Sequence, residues 1–97
     1  MARVEFAEQV SADLERILDH LIQQKIPDSA TRVQELVHAI SVLEHSPLIG
    51  RPAAAGKREL VIGKRSHGYL ALYRYVPEID IVFVLGIRSQ REAGFRR

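Results

Sequence analysis

The chain has 97 residues, 46% hydrophobic and 27% charged, which predicts one folded domain over 1–97 and excludes a chain disordered throughout. It has no cysteine, which excludes disulfides and thiolate chemistry, and no apolar run near the ~20 residues that a membrane span needs. The formal charge of +2 hides a division: residues 1–49 hold four Lys/Arg against eight acids, a net −4, while 50–97 hold ten against four, a net +6.

In chain order, Val4 and Phe6 alternate with Arg3 and Glu5, the period of a short strand. Val10, Leu14, Ile17, Leu18, Leu21 and Ile22 then recur at helical spacing and predict a helix over about 8–25. Asp13, Glu15, Arg16, Asp19 and Gln23 fall on its polar side. Pro27 breaks the pattern, and Asp28 and Ser29 are placed to cap a second helix striped by Val33, Leu36, Val37, Ile40 and Leu43. The short connection makes the two helices an antiparallel hairpin, whose apolar stripes need a sheet for cover.

Pro47, Gly50, Pro52 and Gly56 mark a loop over about 46–56. Three strand patterns follow. Glu59–Gly63 is short, Tyr69–Val76 is aromatic-rich, and Ile79–Ile87 is nearly all apolar, which predicts a central strand buried on both faces. Gly68 and Pro77-Glu78 stand where hairpin turns are needed, so these strands form an antiparallel meander. Leu18 and Phe83 mark the expected core. The fold class is α+β with two layers: an N-terminal strand and an antiparallel helical hairpin packed on a meander sheet, in the order β-α-α-β-β-β. The N-terminus lacks an apolar leader region, so a cytoplasmic protein is expected.

The segments Pro47-Leu-Ile-Gly-Arg-Pro52, Arg58-Glu-Leu-Val-Ile-Gly63, Gly68-Tyr-Leu-Ala-Leu-Tyr-Arg-Tyr75, Val82-Phe-Val-Leu-Gly-Ile-Arg88 and Gln90-Arg-Glu92 occur in an order that resembles the RelE/ParE superfamily of type II toxin–antitoxin (plasmid stabilization) systems. The resemblance spans the chain. It implies a toxin neutralised by a cognate antitoxin protein, with either DNA gyrase or the ribosome and its mRNA as target. RelE-like members cut mRNA; ParE-like members poison gyrase. Similar nucleases carry an arginine where this chain has Leu70, an arginine or a His-Tyr pair near Ser89 and Gln90, and a tail tyrosine where it has Phe95. These departures lean the resemblance to the ParE-like side and away from an enzyme. An mRNA endonuclease is the alternative, and a non-toxic basic nucleic-acid-binding module a third reading.

RNA cleavage by the substrate's own 2′-hydroxyl needs a base, a cation on the phosphate and an acid. Arg74, Arg88 and His67 are the catalytic candidates on that reading. Arg58, Lys64, Arg65, Arg74, Arg88 and Arg91 are the candidates for binding an anionic partner, because cations cluster in this half. Arg96 and Arg97 add charge to the tail, and Glu59 is a candidate base. Arg74 reads equally as a phosphate binder or as the ion-pair partner of Glu59 or Asp80. Tyr69, Tyr73 and Tyr75 share a strand face, and packing under the helices outweighs base stacking for them. His20, His38, His45 and His67 lack metal-ligand spacing, and no cofactor is implied. Monomer and dimer both remain open.

Overall fold

The structure is a computed structural model and describes residues 1–64 and 68–91. Strand β1 (Arg3–Phe6) leads into helix α1 (Glu8–Gln23) and helix α2 (Ser29–Ile40), which runs on as a 3-10 turn, Ser41–Glu44. Then come β2 (Arg51–Pro52), a 3-10 turn Ala54–Gly56, β3 (Arg58–Ile62), β4 (Tyr69–Val76) and β5 (Ile81–Ser89). The sheet order is β1-β5-β4-β3-β2. The meander β3-β4-β5 is antiparallel, and β1 returns to lie parallel beside β5, Val4 opposite Val82. The α+β, two-layer β-α-α-β-β-β expectation is therefore met, with a two-residue edge strand, β2, inside the expected loop.

Between the helices the chain turns through left-handed backbone at Lys25 and Asp28. Asp28 gives α2 no side-chain cap; instead the Ser29 hydroxyl donates to the Ile26 carbonyl at 2.7 Å. The core forms where the hairpin covers one sheet face: Val10, Ile17, Leu36, Ile40 and Leu43 meet Leu60, Ala71, Tyr73, Val82, Val84 and Ile87. Leu14, Leu21, Val33, Tyr69 and Tyr75 pack at its margin.

Three expectations need correction. Leu18 is only half-buried and Ile22 is 58% exposed, whereas Asp13, assigned to the polar side, is fully buried. The stripe that meets the sheet runs Val10, Asp13, Leu14, Ile17, Leu21, a rotation of part of a turn. Strand β5 is second in the sheet and has one covered face: Val82, Val84 and Ile87 are buried, while Ile81, Phe83 and Leu85 are half-buried. Phe83 is thus no core residue. Ile79 lies in the turn before β5 and is 56% exposed. Among the described residues no helix is long and apolar enough to cross a membrane.

Candidate functional site

Alternation along each strand divides the sheet into a helix-covered face and an open one. Leu60, Ala71, Tyr73, Val82 and Val84 take the covered face. Their neighbours Glu59, Val61, Leu70, Leu72, Arg74, Val76, Ile81 and Phe83 take the open face, with Arg3 and Glu5 from β1. Its middle is apolar. Leu70 is 3% exposed, Leu72 and Phe83 are half-buried, and Val61 is 45% exposed.

Cations border this strip. At one edge Arg51 Nε bonds Glu59 Oε1 at 3.1 Å, and at the other Arg3 Nη2 meets Glu5 Oε1 at 3.3 Å. Between the edges stand Arg74, opposite Phe83, and Arg88, opposite Leu70. The four-residue offset between Leu70 and Arg74 sets the two arginines about 13 Å apart along the strand. Arg74 is exposed, and its Nη2 donates to the Ala55 carbonyl at 2.7 Å. It forms neither expected ion pair: Glu59 is held by Arg51, and Asp80 accepts the Tyr75 hydroxyl at 2.7 Å. Arg88 is half-buried and donates to the Ser89 carbonyl at 3.1 Å.

The remaining candidates scatter. Arg58 points to the other face, where Nη1 donates to the carbonyls of Gly50 at 2.8 Å and Leu48 at 3.2 Å. Its guanidinium pins a loop instead of facing a partner. Lys64 is exposed in the turn after β3, and Arg91 is exposed in the turn after β5, where its N–H donates to the Ser89 hydroxyl at 3.2 Å. Arg65, His67, Phe95, Arg96 and Arg97 lie outside the described residues.

Tyr73 belongs to the core and is fully buried, so it is closed to base stacking. Its hydroxyl oxygen accepts the Gly50 N–H at 2.8 Å. Burial raises its pKa, while the Gly50 hydrogen bond and the Arg58 charge pull it down. Gly50 has no alternative here: a Cβ would fall 2.6 Å from the Tyr73 ring and 2.8 Å from the Glu59 carbonyl. Tyr73 and Arg58 together fasten the segment that presents Leu48 and Ile49, each 58% exposed.

The open face thus carries exposed Arg74 and Val61 beside half-buried Leu72, Phe83 and Arg88, with Leu70 buried among them. Both cations are legible in the sequence, whereas the sidedness of Phe83 is not. The available signal was Gly86 inside the apolar run, since a lone glycine in a strand marks a bulge, and the ladder bulges beside it at Leu85.

Residues 4–94 match the family described as the ParE toxin of the type II toxin–antitoxin system parDE. The fold is similar to a chain of the chromosomal ParDE system from P. aeruginosa, with a TM-score of 0.77, 24% identity, and 92% of this chain and 96% of that one covered. It is similar to a chain of the intact E. coli RelBE toxin–antitoxin complex (TM-score 0.64, 18% identity, 95% and 100% covered). It is also similar to one in the RelBE2 complex of Mycobacterium tuberculosis (TM-score 0.62, 24% identity, 92% and 98% covered). No curated protein matches the chain.

Proposed function

The chain belongs to the ParE toxin family of type II toxin–antitoxin systems, and from that premise we propose that it arrests growth by poisoning DNA gyrase until a cognate antitoxin neutralises it. The observation that carries the choice of gyrase over mRNA is Leu70. Similar nucleases set an arginine at this position. Here a buried leucine faces Arg88 across the strand pair and brings no charge to a phosphate. A scissile phosphate needs cations converging on it, to stabilise charge as it develops. Arg74 and Arg88 instead stand at the two ends of the strip. That spacing suits a protein surface better than one phosphate: the strip supplies contact area, and the arginines supply orientation and encounter rate.

On this reading Arg74 and Arg88 contact the target, Lys64 and Arg91 add long-range attraction, and the site of action is the cytoplasm. The antitoxin would cover Leu48 and Ile49, which the Tyr73 and Arg58 bonds hold in place before any partner arrives; such preorganisation lowers the entropy lost on docking.

The test uses the purified protein in two assays: gyrase supercoiling, and mRNA integrity on programmed ribosomes. Inhibited supercoiling with intact mRNA is expected. Codon-specific cuts with supercoiling unaffected would replace gyrase with the ribosome and leave the family standing.

A further inference from the structure

Strand β5 carries one residue more than β4 can pair. Tyr73 lies opposite Val84 and Leu72 opposite Gly86, so Leu85 is bulged out of the ladder. Before the bulge, the even-numbered residues Val82 and Val84 face the helices; after it, Ile87 does, fully buried. An unbroken strand would have turned residue 88 towards the helices. The bulge turns Arg88 onto the open face instead.

The same shift sends the Ile87 N–H and C=O to the side of β5 where β1 has stopped. Strand β1 pairs only as far as Val84, whose carbonyl accepts the Ala7 N–H at 2.9 Å. Two buried backbone groups beyond that point would lack a strand to bond. Helix α1 supplies them with side chains. Asp13 Oδ2 accepts the Ile87 N–H at 2.9 Å, and Arg16 Nη2 donates to the Ile87 carbonyl at 3.3 Å. The two side chains are tied together, Arg16 Nη1 to Asp13 Oδ1 at 2.8 Å, and Gln9 Nε2 donates to the same oxygen at 3.0 Å. Asp13 is 0% exposed.

A donor and an acceptor thus meet one residue of β5, as a sixth strand's backbone would. We infer that Asp13 and Arg16 are positioning residues for Arg88: they hold the bulged register that aims Arg88 at the open face. This rests on the reading of Arg88 as a target contact. A carboxylate that only fastened α1 to the sheet would serve stability alone, so the test must separate the two roles.

The experiment is a double-mutant cycle on inhibition of gyrase supercoiling and on growth arrest, with Asp13→Ala, Arg88→Ala and the double variant. Melting curves select conditions where every variant is folded. Ile17→Ala, a buried change one turn further along the same helix, controls for general destabilisation. Arg88→Ala and Asp13→Ala are each expected to weaken the toxin about tenfold or more, the double variant no further than Arg88→Ala alone, and Ile17→Ala to stay near wild type. In the wild type the Ile87 amide should exchange slowly, and in Asp13→Ala fast. If the two losses multiply, or if Ile17→Ala weakens the toxin as much as Asp13→Ala, the inference is overturned. Wild-type potency in Arg88→Ala would overturn the reading of Arg88, and the inference with it. Wild-type potency in Asp13→Ala with a weak Arg88→Ala would overturn the inference alone. If Asp13→Ala does not fold, Asp13→Asn, which keeps the side-chain volume and one acceptor oxygen, is read in the same cycle.

Discussion

The two faces of the sheet use similar side chains to opposite ends. The covered face has Leu60, Ala71, Tyr73, Val82, Val84 and Ile87 beneath the helical hairpin. The open face has Val61, Leu70, Leu72 and Phe83, bordered by Arg74 and Arg88. What separates them is cover. The hairpin has one apolar side, and it buries one side of the sheet. Most of the folding free energy therefore belongs to the covered face, while the open face leaves Val61 exposed and Leu72 and Phe83 partly so around a buried Leu70. Charge follows the same division, with exposed acids Glu8, Glu15, Asp19 and Glu35 on the helical layer and Arg74 on the sheet.

The sharpest way to break this contrast is to truncate one residue on each layer contact. Ile40 is fully buried, and Ile40→Ala should cost about 2–5 kcal/mol in chemical denaturation. Phe83→Ala should cost less, roughly 1–2 kcal/mol, because the ring is only partly buried and stands outside the core cluster. Equal losses at the two sites would mean that the open face is a second core.

A smaller effect tests how the covered face holds the Leu48–Ile49 loop. Tyr73→Phe leaves the buried Gly50 N–H without its acceptor and should cost about 1–2 kcal/mol. The same residue gives a pH dependence. The folded state holds the Tyr73 pKa above the ordinary 10.0, chiefly through burial, so the unfolded chain releases this proton first. The stability contributed by the neutral phenol is complete below about pH 10 and is lost as pH rises through the raised folded value. Urea midpoints followed from pH 9 to 11 should fall more steeply for wild type than for Tyr73→Phe.

The smallest stability effect is expected where the functional effect is large. Arg74 is exposed and makes one hydrogen bond, so Arg74→Ala should shift stability by less than about 0.5 kcal/mol. If gyrase is the target, binding to it should weaken, and the difference from wild type should shrink with added salt, which screens such charges over about 8–10 Å.

Periodicity made the elements legible: β4 falls on Tyr69–Val76 as expected, and Pro27 and Pro47 bracket the second helix. The sheet's sidedness was not legible in the same way. An apolar run such as Ile81–Ile87 reads alike whether both faces are covered or one face awaits a partner, because the residue types are the same. The phase of α1 escapes the sequence pattern for a related reason. A buried carboxylate looks like a surface residue until the backbone group that it serves, the Ile87 N–H, is known to lie at an unpaired edge. Of the proposed contacts, Arg74 and Arg88 share the open face as a period-2 strand with one bulge requires, whereas Arg58 is drawn to loop carbonyls that no local pattern reveals.

The central claim is that the open face acts on the target while the covered face maintains the fold. Its most direct test is Arg74→Glu, which reverses an exposed charge on the open face, followed in parallel by a melting curve and by growth after induction. A melting temperature within a few degrees of wild type and loss of growth arrest are expected. Full growth arrest by a folded Arg74→Glu variant would contradict the claim.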